Sequence, residues 1–235
     1  MLKLYYLKIE ELTDKKLKTE LKKYLSEERR AAIDLLKFED DQTRSILGEL
    51  LIRYGICQNS VLKNSDIKFI KNEYGKPFLN NVADVYFSLS HSEEYVLCGI
   101  SDKELGVDIE KINEIELDIA EDFFHHREYK VILKQLEEQR LQYFYRIWCL
   151  KESYLKYIGT GLSTPLNSFY VNESDGEICI YTAEGQLENI ELEILLIDEK
   201  YSAAVCYKNN LKYDLKRVSL NEIVRVLMEK EKYGI

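Results

Sequence analysis

Residues 105–112 read LGVDIEKI. Val107 and Ile109 alternate with Asp108 and Glu110, the period of a β-strand with one apolar and one acidic face. Side chains at i and i+2 point the same way, so the two carboxylates share a face, about 7 Å apart along the strand. Like charges so placed repel. Either that face is simply wet, or a cation sits between them. Outward from this strand the pattern is mixed. Before it come an opening strand (2–9), a helix capped by Ser26, and a longer helix (39–56) with Ile46, Leu47, Leu50, Leu51 and Tyr54 at helical spacing. Then follow strands at 67–71, 85–90 and 94–101. After it, residues 117–158 read as helical, 169–181 as a hairpin turning at Asp175-Gly176, and 188–197 and 202–208 as further strands. The tail beyond Ser219 is an amphipathic helix with Ile223, Val224 and Leu227 on one face. This order, with antiparallel-looking strands in both halves, predicts an α+β fold rather than an alternating parallel sheet.

Composition narrows the function. The 235 residues carry a net charge of −9 and include two prolines and ten glycines, so no flexible linker is evident. An acidic chain is a poor general binder of nucleic acid or anionic membrane, and neither is expected as a partner. Any anionic ligand needs a local basic cluster. Five scattered cysteines without CxxC spacing read as reduced thiols of a cytoplasmic protein. No apolar run reaches the ~18 residues of a membrane helix, and MLKLYYLKIEEL carries acids too early for a signal peptide.

Four further stretches carry chemistry. In WCLKESYLKYIGTGLS (148–163), Glu152 and Lys156 share a helix face, which by itself describes a surface ion pair, before Gly159 and Gly161 open a loop. FSLSHS (87–92) ends a strand in Ser90-His91, either packing residues or a donor pair aimed at phosphate. YGKPFL (74–79) holds Lys76 at a turn between Gly75 and Pro77, and Arg44 stands among apolar residues of the long helix. Singly, each is a weak signal. Together they supply three carboxylates, two lysines, an arginine, a histidine and a serine. Hard oxygen ligands suit Mg²⁺ and basic donors suit phosphates, so the set describes a magnesium site for a polyphosphate substrate.

The sequence also resembles the 4′-phosphopantetheinyl transferase superfamily, in its long, surfactin-synthetase-activating type. GVDIE and, about forty residues later, WCLKESYLK are the specific anchors, with TRSILGELLIR, EYGKPFL, FSLSHS and FFHHREY between and before them. The resemblance implies two similar subdomains related by a pseudo-twofold axis, each a small, mainly antiparallel sheet with packed helices, covering 1–104 and 105–235. It implies coenzyme A in the cleft between them, Mg²⁺ as cofactor, an apo acyl or peptidyl carrier protein as acceptor, and a monomer. Asp108, Glu110 and Glu152 match metal ligands, and Asp108, Glu152 and Lys156 the catalytic set, with Lys156 beside the pyrophosphate. Arg29, Arg44, Lys76, Ser90 and His91 match coenzyme A contacts, Arg44 and His91 toward the 3′-phosphate. Ala32 stands where close relatives can carry a second lysine near the 3′-phosphate, and Thr160 replaces a frequent lysine in the loop after the helix. The rival readings are another Mg²⁺-dependent enzyme that cleaves nucleotide pyrophosphates, and a non-catalytic binding module.

Overall fold

The computed structural model describes the backbone of residues 1–80, 82–174 and 176–233, and every side chain among them except Leu162 and Tyr233. Asp175, half of the expected hairpin turn, lies outside the described residues. In chain order the elements are β1 (Leu2–Lys8), α1 (Lys15–Leu21), α2 (Glu27–Asp34), α3 (Glu39–Asn59), β2 (Phe69–Lys71), β3 (Pro77–Leu79), β4 (Tyr86–Ser92) and β5 (Tyr95–Ser101). There follow β6 (Leu105–Lys111), α4 (Ile119–Phe123), α5 (His126–Lys134), α6 (Glu137–Ile158), β7 (Tyr170–Ser174), β8 (Glu177–Thr182), β9 (Gly185–Gln186), β10 (Ile190–Ile194), β11 (Tyr201–Lys208), β12 (Tyr213–Arg217) and α7 (Leu220–Tyr233). The fold is α+β, with small sheets and packed helices. Apart from the parallel pair β1–β12, the strand pairs among the described residues are antiparallel.

The chain divides into two compact units. The first holds Met1–Asn72, Pro77–Lys103 and the tail from Lys212. Its sheet runs β12-β1-β5-β4. Helix α3 packs on β5, and every residue from Ile46 to Cys57 is buried, so the helix is enclosed all round rather than along one stripe. Ser26 caps α2, its side chain accepting from the Arg29 N–H, with Glu27 and Glu28 in the positive first turn. The tail departs from the expected division at 104: residues assigned by sequence to the second subdomain pack in this unit. The reason is apolar burial together with strand pairing. Ile223 and Leu227 of α7 are fully buried, each worth about 1.5–3 kcal/mol, and β12 adds to the edge of β1 from Leu2↔Tyr213 to Tyr6↔Arg217.

The second unit holds Glu73–Lys76 and Glu104–Leu211. Its main sheet runs β10-β11-β6, with α6 packed across it. The β7–β8 hairpin and β9 form a separate small sheet. Phe124, Phe144, Ile147, Leu150, Phe169 and Ile180 make the core. The helical stretch expected over 117–158 is three helices, because caps interrupt it. The His125 ring accepts from the Arg127 N–H while Glu128 accepts from the His125 N–H at 3.0 Å, a capping box that starts α5 afresh. Gly159 at φ 75° ends α6, its N–H bonding Leu155 O at 2.8 Å.

Candidate active site

The acidic strand is dry at Asp108 and half-buried at Glu110. Leu105 to Ile109 are all buried, Asp108 at 2 % exposure. Gly106 shows what covers the acidic face. A Cβ there would lie 1.9 Å from Ser153 O and 2.4 Å from Tyr157 N, so strand and helix backbones touch at this point. Residue 106 shares a face with 108 and 110, so the carboxylates face α6. The same contact brings Glu152 and Lys156, which flank Ser153 and Tyr157 along the helix, over Asp108. Gly106→Ala should therefore lower stability by more than the ~1–3 kcal/mol of ordinary overpacking, because backbone rather than side chain must yield. It should also abolish activity by parting β6 from α6. Thermal unfolding and turnover of the folded variant check both; wild-type values for either would show that the contact is not needed.

Lys156 does not serve merely as a helix-surface partner of Glu152. Its Nζ donates to Asp108 Oδ1 at 2.7 Å, across 48 residues of sequence. Burial raises the Glu152 carboxyl above its ordinary range, the nearby Asp108 charge raises it further, and Lys156 offsets part of this. Asp108 and Glu152 are thus electrostatically coupled. Glu110, in register with Ser202 on β11, bears on the α6 side chains Tyr145 and Cys149 through its charge. Lys76 is no solvated turn tip: its Nζ donates to Tyr157 O at 3.1 Å and to Glu104 at 3.4 Å, and burial lowers its pKa. The second unit so gathers Lys76, Asp108, Glu152 and Lys156 about the C-terminal half of α6.

Among the described residues no group of three or more His, Cys, Asp or Glu side chains is arranged to hold a metal ion. The Asp108–Glu152 pair fits the other way of binding Mg²⁺, with one or two carboxylates and the remaining ligands from phosphate and water. Two hard carboxylates, one of them with its pKa raised by burial and then by the other's charge, are a donor set that a divalent cation would relieve.

Arg29, Arg44, Ser90 and His91 belong to the first unit. Arg44 ion-pairs with Asp41 and donates to Glu93 O at 2.9 Å, which ties α3 to the β4–β5 turn just beyond Ser90 and His91. Ser90 is buried and His91 exposed. Arg29 reaches from α2 to Glu49 and Ser45 on α3. Thr160, in the loop after α6, shares a 2.8 Å hydrogen bond with Thr164.

Sequence reading missed Lys151, one residue from Glu152. It is fully buried, its Nζ donating at 2.8 Å to both oxygens of Glu128 and to Phe169 O. Lysine at a helix position enclosed by Cys149, Leu150 and Tyr154 was the available signal, since a buried lysine requires a partner.

The superfamily model for 4′-phosphopantetheinyl transferases matches residues 104–206, and the model for the N-terminal part of a 4′-phosphopantetheinyl transferase matches residues 13–102. The 4′-phosphopantetheinyl transferase gsp of Aneurinibacillus migulanus is 32% identical over 231 residues, covering 97% of this chain and 96% of the relative. The chain belongs to the 4′-phosphopantetheinyl transferase superfamily. Its activity is 4′-phosphopantetheinyl transfer. The transferase Sfp of Bacillus subtilis is 34% identical over 203 residues, covering 86% of this chain and 90% of Sfp. A holo-[acyl-carrier-protein] synthase of Thermotoga maritima aligns with 46% of this chain and 64% of its own at 19% identity and a TM-score of 0.39, too distant to bear on the fold. The two family matches meet next to β6, so this transferase carries its acidic strand at the head of the second match.

Proposed function

We propose that this transferase moves the 4′-phosphopantetheine group of coenzyme A onto a serine hydroxyl of an apo acyl or peptidyl carrier protein, leaving adenosine 3′,5′-bisphosphate. The observation that carries the reading is the Asp108–Glu152 pair with Lys156 bonded to Asp108 and Lys76 bonded to the end of the same helix, which joins carboxylates for a cation to ammonium groups for a pyrophosphate. The serine oxygen attacks the phosphorus next to pantetheine, and the bond to the bridging pyrophosphate oxygen breaks. Glu152, with its raised carboxyl, takes the serine proton. Lys156 stabilises the departing phosphate, and Lys76, held on the end of α6, adds a fixed positive charge. Asp108 and Glu152 would hold Mg²⁺, with Glu110 next along the same strand face, and the ion when bound would neutralise pyrophosphate charge. In the first unit Arg44 and His91 meet the 3′-phosphate, Arg29 the nucleotide end, and Ser90 the phosphate chain.

The five free cysteines suit a reducing compartment, and we place the enzyme in the cytoplasm as a monomer. Among the described residues no helix is long and apolar enough to cross a membrane.

Mass spectrometry of an apo carrier protein after incubation with enzyme, coenzyme A and Mg²⁺ tests the reaction. The expected result is a gain of one phosphopantetheine group, lost with chelator. Products released from coenzyme A without any acceptor would favour a hydrolase instead. Coenzyme A should also have a KM at least about tenfold below that of its 3′-dephospho form, since a charge-assisted hydrogen bond is worth about 1.5–3 kcal/mol. The gap should shrink in Arg44→Ala. Equal KM values in the wild type would remove Arg44 and His91 from the site.

A further inference from the structure

The carboxylate of Glu49 has no part in the chemistry above, yet it sits at 1 % exposure on the enclosed part of α3. Its acceptor sites are spent. Oε1 accepts from Ser26 N at 2.6 Å and Arg53 Nε at 2.8 Å, and Oε2 from Ser26 Oγ at 3.0 Å and Arg29 Nε at 3.2 Å. Arg53 is itself buried, its Nη1 committed to the carbonyl and side chain of Asn64. Two guanidiniums on one carboxylate leave a surplus positive charge, and with Arg53 enclosed that surplus falls on Arg29, whose side chain is 37 % exposed. The neighbouring acids of α2 make their ion pairs elsewhere, Glu28 with Lys71 and Glu27 with Arg30, though the Glu28 charge still feels Arg29 as a minor influence. Arg29 Nη1 further reaches Ser45 Oγ at 3.4 Å. The guanidinium is thus held on one edge and open on another.

We infer that Glu49 is a positioning residue for the nucleotide end of coenzyme A, acting by holding the Arg29 guanidinium in place. The inference rests on the proposed contact of Arg29 with that end. A long arginine side chain samples many rotamers, and ordering it at the moment of binding costs affinity. Glu49, anchored in turn by the α2 cap and by Arg53, orders it beforehand. Glu49 touches no reacting atom, so its loss should weaken nucleotide binding and spare the chemical step.

The probe is adenosine 3′,5′-bisphosphate, measured as an inhibitor alongside steady-state kinetics with coenzyme A. In Glu49→Gln its Ki and the KM for coenzyme A should rise together by about tenfold, the worth of one charge-assisted hydrogen bond, with kcat within about twofold of wild type. Arg29→Ala should do the same, and the double variant should lose no more than either single. A purely structural Glu49 would lower unfolding temperature and kcat through the folded fraction while leaving Ki unmoved, and that result overturns the inference. Glu49→Gln leaves Arg53 buried without its carboxylate and is at risk of misfolding. The paired variant Glu49→Met with Arg53→Met removes both charges together, and the same rise in Ki is expected of it. An unchanged Ki in that pair also overturns the inference. If Arg29→Ala raises Ki while both Glu49 variants do not, the contact of Arg29 stands and positioning by Glu49 falls. If Arg29→Ala itself leaves Ki unchanged, the contact fails and the inference with it.

Discussion

Glu152→Gln is expected to lose about 10³-fold in kcat, the size of several kcal/mol of charge stabilisation, while unfolding in chelator at the same temperature as wild type or higher. The two effects share a cause. Burial and the Asp108 charge raise the Glu152 carboxyl, so the folded state holds that proton more tightly than the unfolded state does. Stability therefore falls as pH rises from the ordinary carboxylate range through the raised one, so the ionised side chain is a net burden on the fold without metal. Glutamine removes the burden and the proposed base together. Asp108→Asn should lose turnover to a similar extent without the gain in stability, because Asp108 is also the partner of Lys156 at 2.7 Å. Turnover at saturating Mg²⁺ and thermal unfolding with chelator, measured from pH 4 to 8, decide the matter. Near-normal turnover in either variant would remove it from the site. A sharp drop in stability of Glu152→Gln would show that Glu152 holds the fold.

Lys151→Met should cost about 3–5 kcal/mol, because it strands Glu128 as a buried charge without its cation. The geometry leaves little slack: the three ammonium hydrogens meet three acceptors, and Glu128 also accepts from Val171 N at 2.7 Å and His125 N at 3.0 Å. Burial pushes the Lys151 ammonium down to about 8 and the Glu128 carboxyl up, while each partner's charge pulls the other back. Adding Glu128→Gln should recover part of the loss, since the stranded charge is gone and an acceptor remains. Chemical denaturation of the two single variants and the double variant gives the coupling, and additive losses would deny it. Turnover of Lys151→Met should follow its folded fraction, which separates this lysine from Lys156 on the same helix.

Much of the fold was legible along the chain because local rules govern it. Alternation marked β6, Ser26 announced the cap of α2, and Gly159 the end of α6, each through backbone preferences set within a few residues. The anchors GVDIE and WCLKESYLK carried the family, which the match over nearly the whole chain establishes. Spacing told which side chains share a face of one element, but not what lies opposite. So Glu152 and Lys156 read as an ordinary helix pair, whereas the fold turned Lys156 to Asp108. Alternation along the acidic strand left open whether its polar face met water or a cation, and only the passage of α6 over Gly106 showed that Asp108 is buried. Lys151 with Glu128, Glu49 between two arginines, and the return of β12 to β1 across some two hundred residues were likewise invisible. Ion pairs, close backbone approaches and strand partners are decided by distances between segments remote in sequence, and those distances exist only once the helices and sheets have packed.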